Sequence, residues 1–358
     1  MNIGILSMQK IHNYGSFLQA LSLKLQLEKR GHNVYFIDIL CGRKIIEDIK
    51  QVRPSIISKL DRYALKRIEN YCLSKRMDKI HINDYKTYLQ TEKTLSENEE
   101  YDLVIIGSDE VFNATASSPW GFTTQLFGDV PNAKKVVTYA ASCGQTTYHS
   151  AEKYGIVDEL CEAMSHLDSI SVRDSNTFDF VSKVTGKTPI INLDPVFITN
   201  FDEFITKPIK RKPYMLVYAY GNRICDKKEV AVIKEYAREK GLDIISVGTQ
   251  QRWCKHNIAA NAFELLSYVK SAECIVTDTF HGTVFSAKYN KRFVSLIRES
   301  NENKLSDLLY RLKLESRAVK NLECFKQTLD SDIDFDALNR IIDEWTKSAY
   351  SYLDTITK

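Results

Sequence analysis

The sequence predicts an α/β fold, and three observations support that prediction. The chain has 358 residues, which is enough for two domains. Short apolar runs alternate with longer segments in which apolar residues recur at helical spacing. Most of the apolar runs are followed at once by small, polar or charged residues, as expected for loops at the carboxyl ends of parallel strands.

Composition narrows the class of protein. Hydrophobic residues make up 44% of the chain and charged residues 27%, which is typical of a globular protein. The net charge of +3 gives no indication of nucleic-acid binding, and no apolar run is long enough to span a membrane. The eight cysteines form no C-x-x-C pair and show no zinc-binding spacing. Together with the absence of a signal sequence, these features predict a cytoplasmic protein with reduced thiols and no metal site.

The first elements form a βαβ unit. We expect a strand over residues 3–7, a helix over 16–30 and a strand over 34–39. The crossover between the two strands should be right-handed.

A basic region covers residues 43–79, where eleven lysines or arginines face five acidic residues. Its apolar residues recur at helical spacing, at Ile57, Leu60, Ala64, Ile68 and Tyr71. Lys59, Arg62 and Lys66 fall off that stripe. They indicate either the solvated face of an ordinary helix or a patch that contacts an anionic membrane surface.

Four further strands complete the first half, and each ends in polar residues. They are expected at 103–106, 136–140, 170–172 and 190–193. The residues that follow them are Gly107-Ser108-Asp109-Glu110, Ala141-Ser142-Cys143-Gly144, Arg173-Asp174-Ser175 and Asp194-Pro195. Such groups indicate a site at the carboxyl edge of a sheet, although each can also be simple turn chemistry.

A second α/β series follows the linker Lys207–Pro213. Strands are expected at 214–220, 243–247, 271–276 and 292–297, and helices at 227–240, 262–270, 284–289 and 304–312. Leu338 to Ile356 forms a long amphipathic helix. We therefore expect two Rossmann-like domains that face each other across a cleft, the GT-B architecture. The boundaries are 1–205 with a basic helical insertion at 43–100, then 213–330, then a terminal helix at 331–358.

The segment Thr277–Thr283 places His281 between a predicted strand and a predicted helix. Gly282 should let the backbone approach a ligand closely. The N–H groups of a helix that starts near Thr283 should favour an anion. His281 can then act as an acid, a base or a phosphate ligand, and the alternative is a hydrogen-bonded structural histidine.

Three groups in different loops suit a small polyanion, namely Arg173, His281 and Lys304. The alternatives are that Arg173 pairs with Asp174 or another carboxylate and that Lys304 is solvated at a helix start. No phosphate-binding P-loop, dinucleotide-binding glycine motif or nucleophile elbow is present.

The order of these segments resembles the polysaccharide pyruvyl transferase family. The resemblance covers about residues 1–312 and depends on six segments that appear in the order expected for the family. They are Asn13-Tyr14-Gly15-Ser16-Phe17-Leu18-Gln19-Ala20, Gly31-His32 with Ile37-Asp38, Asp102 to Asn113, Ser171-Val172-Arg173-Asp174, Leu193-Asp194-Pro195-Val196 and Thr277 to Ser286. The chain has Glu110-Val111-Phe112 where the family usually has Gln-x-Trp, a difference that concerns the acceptor pocket.

The resemblance implies transfer of a pyruvyl group from phosphoenolpyruvate to a sugar as a cyclic ketal. The acceptor would be a saccharide of a capsule, exopolysaccharide or cell-wall polymer, in some members assembled on a lipid pyrophosphate. No separate cofactor is implied, because phosphoenolpyruvate is itself the donor. A lipid-linked acceptor would bring the enzyme to the inner face of the membrane.

The resemblance also implies roles for individual residues. The catalytic residues would be His281, Arg173 and Lys304, with Lys291, Arg292 and Arg298 as rivals of Lys304. The residues expected to bind the donor are Thr279, Phe280, Gly282, Thr283 and Asp194. The residues expected to bind the acceptor are Asn13, Tyr14, Gly15, Ser108 and Asp109.

Two other functions stay open on sequence grounds. One is a GT-B glycosyltransferase that uses a nucleotide sugar, and the other is a saccharide-binding subunit without activity. The fold alone does not choose among the three.

Overall fold

The computed structural model describes residues 1–45, 64–91, 100–115, 117–205, 208–209, 211–221 and 223–358, with the backbone alone for 64–68. The strands are β1 (Asn2–Leu6), β2 (Asn33–Phe36), β3 (Leu103–Ile106), β4 (Val136–Thr138), β5 (Ser171–Val172), β6 (Ile190–Ile191), β7 (Tyr214–Tyr218), β8 (Asp243–Val247), β9 (His256–Ile258), β10 (Cys274–Thr277), β11 (Arg292–Leu296) and β12 (Ala318–Val319).

The α-helices are α1 (Tyr14–Glu28), α2 (Ala64–Asp84), α3 (Tyr148–Lys153), α4 (Val157–Ser165), α5 (Ser175–Thr185), α6 (Lys227–Glu239), α7 (Ala262–Ser271), α8 (Phe280–Lys288), α9 (Glu302–Arg311), α10 (Phe325–Asp330) and α11 (Phe335–Ile356). A π-helix, Tyr85–Leu89, continues α2, and short 3₁₀ turns occur at Thr124–Phe127, Pro195–Ile198, Glu315–Arg317 and Leu322–Cys324.

The chain divides into two compact units. Unit 1 consists of Met1–Ile49, Tyr85–Thr199 and Arg340–Lys358. Unit 2 consists of Lys50–Asp84 and Asn200–Asn339. Helix α2, which begins in the basic region and ends beyond it, therefore groups with unit 2, and most of α11 groups with unit 1.

The sheet of unit 1 is parallel, in the order β2-β1-β3-β4. Two single bridges, Val137 with Ser169 and Ala141 with Val172, extend it toward the pair β5-β6. Strand β3 is the fully buried run Leu-Val-Ile-Ile, as expected for a parallel strand covered on both faces. The strand order reverses between β1 and β3, so the crevice at the carboxyl ends of these two strands is the expected ligand site of unit 1.

The sheet of unit 2 is also parallel, in the order β12-β11-β10-β7-β8-β9. This is the order of a Rossmann domain, in which the connection reverses between the first and the fourth strand. The reversal lies here between β7 and β10, so the residues just after Tyr218 and Thr277 line the expected crevice of unit 2.

Several boundaries differ from the sequence prediction. Ser271 belongs to α7 and not to the next strand, because the Ala272 N–H donates to Val269 O and closes the last helical turn. Strand β10 begins only at Cys274. The short strands β9 and β12 were not predicted, since β9 is not an apolar run and β12 has only two residues.

Helix α11 is anchored to the sheet of unit 1 by tyrosine hydroxyls. The buried Tyr352 hydroxyl donates to Thr138 O at 2.7 Å, and the Ser169 hydroxyl lies 3.1 Å from it. The Tyr350 hydroxyl donates to Ile198 O at 2.8 Å. Residues 340–358, which include most of α11, therefore pack in the same unit as β1.

We expect Tyr352→Phe to lower the free energy of unfolding by about 1–3 kcal/mol, because the change leaves the buried Thr138 carbonyl without this donor. Differential scanning calorimetry measures the effect. Tyr310→Phe is the matched control, since Tyr310 is 70% exposed and its variant should melt like the wild type. Equal melting of both variants would show that the Tyr352 hydrogen bond does not hold α11.

Candidate functional site

The switch point of unit 1 brings two predicted acceptor segments together. Asn13 caps α1, and its side chain accepts from the Gly15 N–H at 2.7 Å. Ser16, in the first turn of α1, donates its hydroxyl to Asp109 Oδ2 at 2.6 Å. Asp109 follows β3, so this bond joins the first turn of α1 to the loop after β3. Ser16 was not among the predicted site residues, although it lies in the segment that carries the family resemblance.

Arg173 lies at the end of β5 and is almost fully buried. Its Nη1 donates to Asp194 Oδ2 at 2.9 Å, and its Nη2 lies 3.7 Å from Asp109 Oδ1. Burial opposes the charged form, but the carboxylates of Asp194, Asp109 and Asp174 outweigh it and hold the pKa of Arg173 above its ordinary value. The side chain thus pairs with carboxylates, which was the structural alternative in the sequence analysis.

Other predicted residues of unit 1 have internal partners. Ser108 is fully buried, its hydroxyl donates to Ala140 O at 2.8 Å, and its N–H donates to Gln19 Oε1 at 2.9 Å. Asp194 is buried and accepts from the Val196 N–H at 3.0 Å. Asp109 differs from these residues because 18% of its side chain is exposed. It is therefore the carboxylate of this cluster that a ligand can reach.

Helix α8 begins four residues before the predicted start, at Phe280. The reason is the cap at Thr279, whose side chain accepts from the Gly282 N–H at 2.9 Å and so closes the first turn around it. His281 consequently lies in the first turn of a helix and not in a loop. Its ring is 6% exposed and has its centroid 5.3 Å from Phe280 and 6.0 Å from Phe285.

Gly282 makes room for neighbouring side chains of the protein. A Cβ at this position would lie 2.0 Å from Thr277 Oγ1 and 2.7 Å from Thr279 Oγ1. The glycine therefore admits two threonine side chains, and its N–H is used by the cap. Thr283 is also internal, with its hydroxyl 2.7 Å from that of Ser295.

A buried carboxylate precedes the cap. Asp278 has no exposed surface, and its Oδ2 lies 3.3 Å from Arg223 Nε and 3.3 Å from Arg298 Nε. Burial raises the pKa of Asp278 above its ordinary value, against the opposing effect of the two arginines. Arg298 also pairs with Glu229 at 2.7 Å. These contacts join the ends of β7, β10 and β11 at the switch point of unit 2.

Among the rivals of Lys304, Arg298 contacts the segment Thr277–Thr283 through Asp278. Lys291 donates to Lys270 O, and Arg292 pairs with Asp332. Lys304 itself lies half-buried in the first turn of α9. The sequence did not lead us to predict Arg223 as a site residue. Its position in the loop after β7 is the feature that could have indicated it.

The structure describes only part of the basic region. Lys59 and Arg62 lie outside the described residues, as does the side chain of Lys66. Tyr71, at the end of the predicted apolar stripe, is 64% exposed. Within the described ranges, no cluster of metal-ligating residues occurs, and no helix is long and apolar enough to cross a membrane.

Comparison with solved structures shows the fold. The glycosyltransferase UGT89C1 of Arabidopsis thaliana, complexed with UDP-L-rhamnose, is 11% identical with a TM-score of 0.50, over 99% of this chain and 97% of that one. The glycosyltransferase SsfS6 of Streptomyces sp. SF2575 is 13% identical with a TM-score of 0.49, over 99% of each chain. The α/β fold of two Rossmann-like domains is thus the GT-B fold, as the sequence predicted.

Comparison by sequence shows the family. No curated protein sequence matches the chain. The model of the family described as polysaccharide pyruvyl transferase matches residues 13–300. That range includes the Asp109 and Arg173 cluster and the His281 motif, and the resemblance seen in the sequence is confirmed. The chain belongs to the polysaccharide pyruvyl transferase family.

Proposed function

We propose that the chain transfers a pyruvyl group from phosphoenolpyruvate to two hydroxyls of a saccharide as a cyclic ketal. Family membership supports a transferase that acts in polysaccharide synthesis. One observation carries the finer proposal: each unit has a group that can carry a proton at its own switch point, Asp109 in unit 1 and His281 in unit 2. The proposed chemistry needs both an acid and a base.

The proposed reaction joins one phosphoenolpyruvate to two hydroxyls of the saccharide and releases phosphate. C3 of phosphoenolpyruvate gains a proton, and a saccharide hydroxyl forms a bond to C2 while its proton goes to a base. The bond between C2 and the phosphate oxygen then breaks, and phosphate leaves with one proton. A second hydroxyl bonds to C2, loses its proton and closes the ketal. Two protons come from the hydroxyls, and two are taken up, by C3 and by phosphate.

His281 is the proposed acid for C3. Imidazole exchanges protons near neutral pH, and the amino end of a helix favours a nearby anion such as the donor's carboxylate or phosphate. Lys304 and the partly exposed Arg223 are the proposed cations for these groups, because lysine and arginine bind phosphate and carboxylate well. Thr279, Gly282 and Thr283 then shape the turn that holds His281 and are not proposed to contact the donor.

Asp109 is the proposed base for the acceptor hydroxyl. Ser16 fixes one of its oxygens, and Arg173 lies near the other. Arg173 is therefore proposed as a positioning residue, because Asp194 and Asp109 already balance its charge. Asn13 and Gly15 form the cap of α1, whose first turn carries Ser16, and Ser108 joins the loop of Asp109 to Gln19 of the same helix.

A nucleotide-sugar transferase is less well supported. In a Rossmann domain the pyrophosphate of a dinucleotide lies at the first βα turn, on the amino end of the helix. In unit 2 that helix is α6, and the Asp226 carboxylate already accepts from the Lys228 and Glu229 N–H groups there at 2.8 and 3.2 Å. A carboxylate at this place repels a pyrophosphate.

We expect millimolar phosphoenolpyruvate to raise the melting temperature of the protein. A ligand that binds only the folded state stabilises it by mass action, by about 2.7 kcal/mol at a hundredfold excess over its dissociation constant. The measurement is thermal denaturation with phosphoenolpyruvate, with inorganic phosphate and with UDP-sugars. A shift with a UDP-sugar and none with phosphoenolpyruvate would favour the glycosyltransferase and contradict the proposal.

His281→Ala and Asp109→Asn should each lower turnover by roughly 10²-fold, because each removes a proton-transfer group. Asp109→Asn should keep the thermal shift with phosphoenolpyruvate, since Asp109 acts on the acceptor. Release of phosphate and the thermal shift are measured on the same preparations. His149→Ala is the control, as His149 is 90% exposed on unit 1. A folded His281→Ala variant with wild-type turnover would leave only a structural role for the histidine.

We further propose that the acceptor is lipid-linked and that the basic region holds the enzyme at the inner membrane surface. Each engaged lysine or arginine contributes about 1 kcal/mol at an anionic surface. The triple variant with Lys59, Arg62 and Lys66 changed to Gln should co-sediment less with anionic vesicles at low salt, and both proteins should dissociate at high salt. Equal partitioning of both proteins at low salt would contradict the proposal.

A further inference from the structure

A groove of about 870 Å³ lies on unit 2 beside helix α6, apart from the His281 motif. One wall is the face of α6 that carries Lys227, Val230, Ala231 and Lys234. These four residues share a face because residues three and four positions apart are neighbours on a helix. The opposite wall is the loop after β8, which contributes Trp253.

The Trp253 ring is held in place. Its Nε1 donates to Ile224 O at 2.6 Å, and the Lys234 ammonium lies 5.9 Å from the centre of the ring. The indole therefore has a fixed orientation, and it is only partly buried. A fixed, partly exposed aromatic face beside the apolar side chains of Val230 and Ala231 suits the apolar face of a sugar ring.

The charged residues described in the lining of the groove are all basic. Lys227, Lys234 and Arg252 line it, and none of its described lining residues carries a carboxylate. Within the described part of the chain, neither Lys227 nor Lys234 forms an ion pair. The two lysines are seven residues apart on α6, so their Cα atoms are separated by about 10 Å along the helix. A ligand between them meets cations at both ends and apolar groups in the middle.

We propose that this groove binds a pyranose unit that carries a carboxylate, namely a unit of the acceptor polymer that the enzyme has already modified. The second half of this statement rests on the proposed function, in which each transfer adds a carboxylate to the saccharide. A neutral unit would fill the groove without pairing Lys227 and Lys234. The groove thus distinguishes modified from unmodified units and holds a growing polymer by its finished part.

A nucleotide also combines a flat ring with negative charge, but the groove suits it less well. The amino end of α6 is the part of the groove's helix that would attract a phosphate, and Asp226 occupies those N–H groups. A carboxylate on a sugar ring needs no helix end and can pair with lysine or arginine directly.

The probe is a short oligogalacturonate, a chain of pyranoses that each carry a carboxylate. Its fully methyl-esterified form is the matched neutral ligand, and inorganic tripolyphosphate supplies charge without a sugar. Affinity is measured by titration calorimetry at low salt. Tryptophan emission locates the ligand, because a sugar on the indole changes it, and Trp253→Phe assigns the signal while keeping an aromatic ring.

We expect the oligogalacturonate to bind, its methyl ester to bind at least tenfold more weakly and tripolyphosphate to leave the Trp253 emission unchanged. Lys234→Gln/Arg252→Gln should weaken oligogalacturonate binding by about tenfold, as expected when two exposed charge contacts are lost. Arg238→Gln/Lys347→Gln removes the same charge from exposed positions outside the groove and should bind like the wild type.

Equal affinity for the acid and its ester, or equal loss in both double variants, overturns the inference. An emission change with oligogalacturonate that persists in Trp253→Phe also overturns it. The two proposals fail separately. If phosphoenolpyruvate does not bind but the oligogalacturonate results hold, the donor assignment falls and the groove remains a site for carboxylated sugars. If phosphoenolpyruvate binds and these results fail, only the groove assignment falls.

Discussion

In each unit one buried charge at the switch point is paired with opposite charges, and these ion pairs hold the surrounding loops together. In unit 1 Arg173 is a buried cation, and Asp194 and Asp109 pair with it. In unit 2 Asp278 is a buried anion, and Arg223 and Arg298 pair with it. An unpaired charge in either place would be costly, so the loops that supply the partners are held at the switch point of each sheet.

This arrangement explains why reactive groups lie where they do. Asp109 approaches the switch point of unit 1 because Ser16 and Arg173 both contact it, and its carboxylate keeps some exposed surface. His281 lies three residues after Asp278, in a helical turn closed by Thr279. In both units a buried ion pair lies beside the residue that is proposed to transfer a proton. We therefore propose that the paired charges position the reacting residues and do not themselves react.

The sequence was sufficient to predict ten of the twelve strands that the structure describes, together with the residues at their ends. Strand β3 and strand β8 have their predicted bounds, because an apolar run flanked by polar residues is a local signal. The start of α8 was wrong, because a threonine cap depends on one side-chain hydrogen bond that periodicity does not show. The packing of Thr277 and Thr279 against Gly282 could not be predicted, since it depends on the fold. The partners of Arg173 and the position of Arg223 depend on strand order, which brings together residues far apart in sequence.

The central claim is that a proton from solvent enters the donor at C3 before the ketal forms. The most direct test is the reaction of phosphoenolpyruvate with the acceptor polymer in D₂O, followed by mass spectrometry and NMR of the product. The account predicts a saccharide with a ketal methyl group that carries one deuterium for each pyruvyl group transferred, and an equal amount of released phosphate. A product that carries a glycosyl group, or phosphate released with no ketal methyl signal, would contradict it.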